Sequence, residues 1–346
     1  MIQADPRKTI APIIGVVIAT LLLVVWHPNK AAEKTYYTNQ NLVFGTTYTI
    51  RYEATKDLGP AIEEALTAFD NSLSMFNPHS ILSAINANRD TTTNEVFEAM
   101  FAEATRVHTL SGGAFDITVA PLVNYWGFGF EDQKSKIENQ QSAIDSLMAF
   151  VGFNKVQLID HHIVKTDPRM MIDAGAVAKG QACDVIAQVL RDNGCENYLV
   201  EIGGEVVAHG VNAEGKPWGV GICKPNLNNK GVQDEYQEIL RLTDACLATS
   251  GNYRNFRTDE HGHPIYGHTI DPRVGHPVQR SVYSATVISS SCMRADALAT
   301  ACMVLGADEA LNMIDRAEDA ACLLIVAEKD SLTVLTSPKW EDFATK

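Results

Sequence analysis

Apolar residues recur along this chain at two spacings, every second position and every third or fourth, and the switches between them mark out its elements. Residues 43–52 alternate as a strand, with Gly45 near its start, where backbone can approach a neighbour closely. After Pro60, which suits a first helical turn, Ile62, Leu66, Phe69 and Leu73 share one helical face. This helix runs into LSMFNPHS and is ended by Asn77-Pro78. A second helix begins near Asn94, turns Val96, Met100, Ala104 and Val107 inward, and stops at Gly112-Gly113. A polar excursion over 131–141 leads to a helix ending near Phe150, and 156–159 with 162–165 read as a short hairpin. Residues 171–180, MIDAGAVAKG, pass from a strand end through Gly175 into a helix reaching about Leu190.

The second half is richer in strands. Residues 198–202 and 205–208 flank Gly203-Gly204 as a hairpin, and 218–222 form another strand. A polar loop over 225–237 precedes a strand at 240–249, which ends in SGNYRNF with Ser250, Asn252 and Arg254. Between 266 and 301 come a polar turn, a strand at 284–289 and a helix capped by Ser290 and Ser291. A helix around 309–316 and a strand pair at 322–328 and 332–335 complete the order. No internal repeat, coiled coil or low-complexity tract interrupts it.

Composition adds limits. With 346 residues, 46% of them apolar, the chain can bury a sizeable core as one large domain or two packed lobes. A net charge of −14, without a basic stripe, argues against a nonspecific nucleic-acid binder. Residues 1–32 stand apart from 33–346: Arg7 and Lys8 precede an apolar run over 10–26, and Pro28 interrupts. This reads as a secretory signal or a short membrane anchor, with the basic flank inside and the body exported. No cysteine follows the run, so a lipid-modified N-terminal Cys is not expected. The seven cysteines lack CxxC spacing and suggest neither zinc nor thiol-redox chemistry. Cys302 and Cys322, in apolar surroundings, read as buried; export permits a disulfide, but spacing selects no pair.

Three stretches carry candidate chemistry. Asp296 and Thr300 lie four apart and project oxygens from one helix face, near a turn with His268, Asp271 and Arg273. Oxygen ligands placed this way suit a hard cation; the alternative is a capped helix whose Asp and Thr face water. Phe115, Asp116, Tyr125, Trp126 and Phe128, set among glycines, form either an aromatic-walled pocket or ordinary core packing. Asp173 and Lys179 suit acceptance from a sugar or base and contact with an anion, or else a glycine bend bearing a surface lysine. Neither a Walker loop nor a Rossmann fingerprint is present.

In order, the blocks FGTTY, LSMFNPHS, GGAFDITVAPLVNYWGFG, IDAGAVAKG, EIGGE, WGVGI, ATSGNYR, HTIDPRVG and SCMRADALATA resemble the ApbE family over about Leu42 to Leu335. These are the FAD:protein FMN transferases, called thiamine-biosynthesis lipoproteins in older usage. The resemblance implies an α+β, two-lobed fold with mixed or antiparallel sheets and FAD between the lobes. It implies a divalent cation, usually magnesium, held by Asp296, Thr300 and the carbonyl of Ala176. Asp173 and Lys179 would contact FAD. Phe44, Phe76, Ala114, Phe115, Asp116 and the backbone near Ile270 and Ala299 would line the flavin or adenosine pocket. His268 and Asp271 would stand near the reacting phosphoryl group, His268 as base and Asp271 orienting it or acting in its place. Phe44 replaces a common Met and Phe76 a frequent Tyr, which questions individual contacts.

The implied reaction moves FMN from FAD to a Thr or Ser hydroxyl of an acceptor protein, releasing AMP. The acceptors would be subunits of a membrane electron-transport complex, with the body facing the periplasm or exterior. Two other classes fit the same residues: an exported FAD pyrophosphatase giving FMN and AMP, and a non-catalytic FAD-binding protein.

Overall fold

A computed structural model of the protein describes residues 34–129, 141–225, 236–251, 256–258, 264–279, 281–328 and 331–344. Strands β1 (Thr35–Val43) and β2 (Thr46–Ala54) pair in register from Thr35 opposite Ala54 to Val43 opposite Thr46. The single strand expected at 43–52 is thus the second arm of a hairpin, turned at Phe44 (φ 51°) and Gly45 (φ 74°). β1 escapes pattern reading because none of its residues is buried: it is an edge with no inward face.

The remaining main-sheet strands are β5 (Tyr198–Ile202), β6 (Glu205–His209), β9 (Ala245–Gly251), β14 (Val282–Ser289), β15 (Ala320–Glu328) and β16 (Ser331–Thr336). They complete an eight-stranded sheet in the order β1-β2-β5-β6-β9-β14-β15-β16, every pairing antiparallel. Four two-stranded ribbons surround it. They are β3 (Val156–Ile159) with β4 (His162–Lys165), and β7 (Trp218–Cys223) with β8 (Tyr236–Leu242). The others are β10 (Phe256–Thr258) with β11 (Pro264–Gly267), and β12 (Ile270–Asp271) with β13 (His276–Pro277).

Alternation along the strands sorts the core onto both faces of the sheet. Val200, Ile202, Ala248, Val287 and Leu324 point into the larger core, whereas Val206, Leu247, Ile288, Leu323 and Ile325 point the other way. The larger core is roofed by helices α1 (Gly59–Leu73), α2 (Ile81–Asn86), α3 (Glu95–Leu110), α6 (Ala178–Asp192), α7 (Cys292–Leu305) and α8 (Ala307–Arg316). The opposite face is covered by the β7–β8 ribbon, through Trp218, Leu240 and Leu242, and by α9 (Trp340–Ala344). α7 lies against β9 and β14 with α6, α3 and α8 around it. Its residues are accordingly buried on every side, as a fully enclosed helix requires.

A smaller lobe has its own core of Leu122, Trp126, Ile144, Val151 and Ile270. It contains α4 (Ala120–Tyr125), α5 (Gln141–Met148) and the β12–β13 ribbon, tied by a 2.9 Å hydrogen bond from Trp126 Nε1 to the Gly275 carbonyl. The α+β, two-lobed expectation therefore holds, with the sheets antiparallel throughout.

Several helices follow the pattern. Ile62, Leu66, Phe69 and Leu73 are buried in α1, and Asn94 caps α3 by accepting from Phe97 N. Other elements depart from it. α1 ends at Leu73, ahead of Asn77-Pro78, and α2 follows, capped by Ser80. The strand expected at 240–249 breaks at Asp244 (φ 51°) into β8 and β9, which belong to different sheets. Both halves are apolar, so periodicity alone runs them together. No strand precedes Gly175; the Asn86 side-chain amide instead pairs with Ile172, donating to its carbonyl and accepting from its N–H, both at 2.8 Å. The expectations for 1–32, 131–140, 226–235, Asn252 and Arg254 lie outside the described residues. All seven cysteines are free thiols, with Cys302 and Cys322 buried.

Candidate active site

Between the two lobes lies a cavity of about 550 Å³. One wall comes from the main sheet and its helices: Asp173, Ala176, Lys179, the Gly203-Gly204-Glu205 turn, Ser250, Asp296 and Thr300. Further lining comes from Ala114 and Phe115 of the larger core, from Asp116 and His268, and from Phe128 and Ile270 of the smaller lobe. Met75 and Phe76 also reach it, and Phe76 is 74% exposed.

The position of Asp296 depends on how α6 and α7 meet. Asp184 of α6 caps the first turn of α7, accepting from Cys292 N (3.0 Å), Met293 N (2.9 Å) and Ser291 Oγ (2.8 Å). Burial raises the Asp184 carboxyl above its ordinary range, and these three donors pull it part of the way back. Ser291 in turn accepts from Arg294 N as the helix N-cap. At the start of α6, Gly180 N donates to Asp296 Oδ2 at 3.0 Å, so this donor serves the carboxylate instead of closing back onto Ala176. A Cβ on Gly180 would stand 2.3 Å from the Cys292 carbonyl oxygen and 2.9 Å from Asp296 Cβ. Only glycine lets the helices approach this closely.

Charge gathers at this junction. Lys179 Nζ donates to Glu205 Oε1 at 2.6 Å and lies 4.0 Å from Asp296 Oδ1. Burial alone would lower the Lys179 ammonium, but the Asp296 and Glu205 carboxylates outweigh it and hold it above the usual lysine range. Burial pushes the Glu205 carboxyl up, with Lys179 opposing and Asp296 adding to the rise. Glu205 Oε2 is buried without a hydrogen-bond partner among the described residues. Such an unmet acceptor costs on the order of 1–3 kcal/mol. Thr300 Oγ1 shares a 3.2 Å hydrogen bond with Ser250 Oγ on β9.

Other sequence-derived candidates are bound into the scaffold. Asp116 Oδ1 accepts from Thr118 N and Oγ1, and its Oδ2 accepts from Phe153 N. Asp173 Oδ1 accepts from Gly175 N at 2.7 Å, and burial raises its carboxyl. The His268 ring meets Phe128 edge-on at 6.2 Å. Asp271 is buried away from the cavity lining, gripped at both oxygens by Arg273 through Nε (2.9 Å) and an Nη (2.8 Å). Phe44 sits in the β1–β2 turn against Phe69, and Ala299 is wholly enclosed in α7; neither lines the cavity. Phe76, Ala114, Phe115, Asp116, Asp173, Ala176, Lys179, His268, Ile270, Asp296 and Thr300 all do.

Sequence reading assigns no role to Glu205 or Asp184. Each carried a signal: an acid in a strongly apolar stretch, EVVA in one case and CDVIA in the other, must find a partner once buried.

Asp296, Thr300 and the Ala176 carbonyl offer only oxygen, which fits magnesium better than zinc. Among the described residues no three His, Cys, Asp or Glu side chains gather as a metal cluster, and this set contains a single carboxylate.

The ApbE family model matches residues 44–324. A FAD:protein FMN transferase of Vibrio cholerae is 34% identical over 343 residues, spanning 96% of this chain and 98% of the relative. One from Escherichia coli is 34% identical over 294 residues, spanning 83% of this chain and 82% of the relative. Among solved structures, the flavin transferase ApbE from Vibrio cholerae superimposes with a TM-score of 0.79 at 32% identity, covering 90% of this chain and 99% of its own. The apo flavinyl transferase ApbE of Pseudomonas stutzeri gives 0.79 at 28% identity, covering 90% and 98%.

Proposed function

The chain belongs to the ApbE family, and on that premise we infer that it is an FAD:protein FMN transferase working in the cavity between its lobes. One observation carries the reading: Lys179, Asp296 and Thr300 line the same cavity as His268 and Phe128. Phosphate-binding chemistry and a candidate base thus share one space.

In the reaction, the acceptor's Thr or Ser oxygen attacks the phosphorus on the FMN side of the FAD diphosphate. A phosphoester P–O bond forms, the anhydride P–O bond breaks, and AMP leaves with the bridging oxygen. The hydroxyl proton passes to His268, the candidate general base on the cavity wall. Lys179 holds the diphosphate by charge, and Asp173 binds a polar edge of FAD. Asp271, clamped by Arg273, fixes the turn that presents His268. Asp296, Thr300 and the Ala176 carbonyl would hold magnesium. When bound, that cation neutralises diphosphate charge and eases departure of the leaving group.

The proposed acceptors are protein subunits of a membrane electron-transport complex. The proposed location is the outer face of the cytoplasmic membrane, with residues 1–32 as signal or anchor. The run over 10–26 behind Arg7 and Lys8 supports this. Among the described residues no helix is long and apolar enough to cross a membrane.

One incubation tests the activity: purified protein, FAD, magnesium and a threonine-bearing acceptor. Flavin fluorescence covalently retained on the acceptor is expected. Free FMN instead would make the protein a pyrophosphatase, and unchanged FAD would make it a binder.

A further inference from the structure

Glu205 opens β6 immediately after the Gly203-Gly204 turn and is 2% exposed, yet it lines the cavity. A buried carboxylate ordinarily has both oxygens satisfied, because each unmet acceptor is costly in low dielectric. Here Oε1 is met by Lys179 and Oε2 is not. The same pair keeps the ammonium 4.0 Å from Asp296 Oδ1, short of direct hydrogen bonding. Gly203, at φ +62°, brings the turn alongside the lysine stem: a Cβ there would lie 3.4 Å from Lys179 Cδ and 2.9 Å from Thr46 Cγ2. The turn, the carboxylate and the lysine form one built unit, with one carboxylate oxygen left unmet.

We propose that Glu205 is a positioning residue for the transferase: it fixes the Lys179 ammonium for the FAD diphosphate, and its spare oxygen accepts from a water brought in with the cation. This rests on the transferase and cation reading above. Magnesium retains several waters when protein-bound, and an outer acceptor for such a water orients the ion without contacting it. Glu205 thereby acts on both partners of the diphosphate, one through the lysine and one through the hydrated metal.

The test measures binding apart from turnover. FAD affinity is read by flavin fluorescence in EDTA, and magnesium affinity by calorimetry without FAD. Glu205→Gln is expected to weaken each about tenfold, while the rate at saturating FAD and magnesium falls much less. Glu205→Asp, which keeps the charge but retracts it by one methylene, should fall between Gln and wild type. In a Lys179→Met background, Glu205→Gln should cost no further FAD affinity. Unchanged FAD and magnesium affinities in Glu205→Gln, with only a lowered melting temperature, would overturn the proposal. So would additive losses in the double variant. Should the unmodified protein take up no magnesium, the cation reading fails by itself, and the two FAD titrations in EDTA still decide whether Glu205 acts through Lys179.

Discussion

Gly180 gives its backbone N–H to Asp296 Oδ2 at 3.0 Å and leaves no room for a side chain against the Cys292 carbonyl. The carboxylate assigned to the cation is therefore aimed by a neighbouring helix. Gly180→Ala must push α6 away from a backbone carbonyl, since no flexible side chain is there to yield. A loss of about 1–3 kcal/mol in stability is expected, together with weaker magnesium uptake. Urea melts and calorimetry would check both, and an unshifted midpoint would show that the helices separate freely.

Asp296→Asn keeps the side chain's shape and removes its charge. Loss of an outer-shell partner alone commonly costs about 10–100-fold in metal affinity, so magnesium affinity should fall by at least that much with the melting temperature nearly unchanged. Thr300→Val removes a neutral oxygen and should do less. Undiminished binding in Asp296→Asn would take Asp296 out of the site.

His268→Asn separates base from wall. Removal of a general base costs on the order of a hundredfold or more in rate, whereas removal of a pocket wall appears in FAD affinity. The transfer rate at saturating FAD should fall with a smaller change in dissociation constant. A normal saturated rate with weakened FAD binding would assign His268 to the pocket wall.

The pH dependence of one surface contact can be read directly. His161 Nδ1 meets Glu98 Oε1 at 2.8 Å, an arrangement that raises the imidazole and lowers the carboxyl. The His161 contribution to stability is complete below its unfolded value of about 6.5 and is lost as pH rises through the higher folded value. The Glu98 contribution is present above its unfolded value and is lost as pH falls through its lower folded one. A proton NMR titration should find His161 raised in the wild type and returned toward its ordinary value in Glu98→Gln.

Pattern and block order made much of this molecule legible. Ile62, Leu66, Phe69 and Leu73 announce α1 because a one-sided helix must repeat its buried positions. Asp296 and Thr300 could be paired because helical spacing relates them directly. What stayed hidden depends on long-range partners. Nothing local in β1 distinguishes an exposed edge strand from a loop. The clamp between Asn86 and Ile172 joins residues 86 positions apart. From the sequence Asp271 is as available as His268; in the fold it is buried and gripped by Arg273, which no local pattern announces. Glu205 is hidden for the same reason: a buried charge is recognised by its partner, and Lys179 lies on the preceding helix.

The capping of α6 and α7 runs in both directions. Asp184 of α6 satisfies the opening amides of α7, and Asp296 of α7 satisfies an opening amide of α6. Neither helix start is complete without the other, so fraying of one strips hydrogen bonds from both. The amides of Gly180, Cys292 and Met293 should therefore exchange with solvent through one shared opening, although Gly180 is 112 or more positions away from the other two. Equal protection at all three, lost together in Asp184→Ala at a cost of about 1–2 kcal/mol, would mark the helix pair as a single cooperative unit. A metal bound at Asp296 would then slow exchange at Cys292 and Met293 as well, one helical turn before it, and so report its arrival through the shared junction.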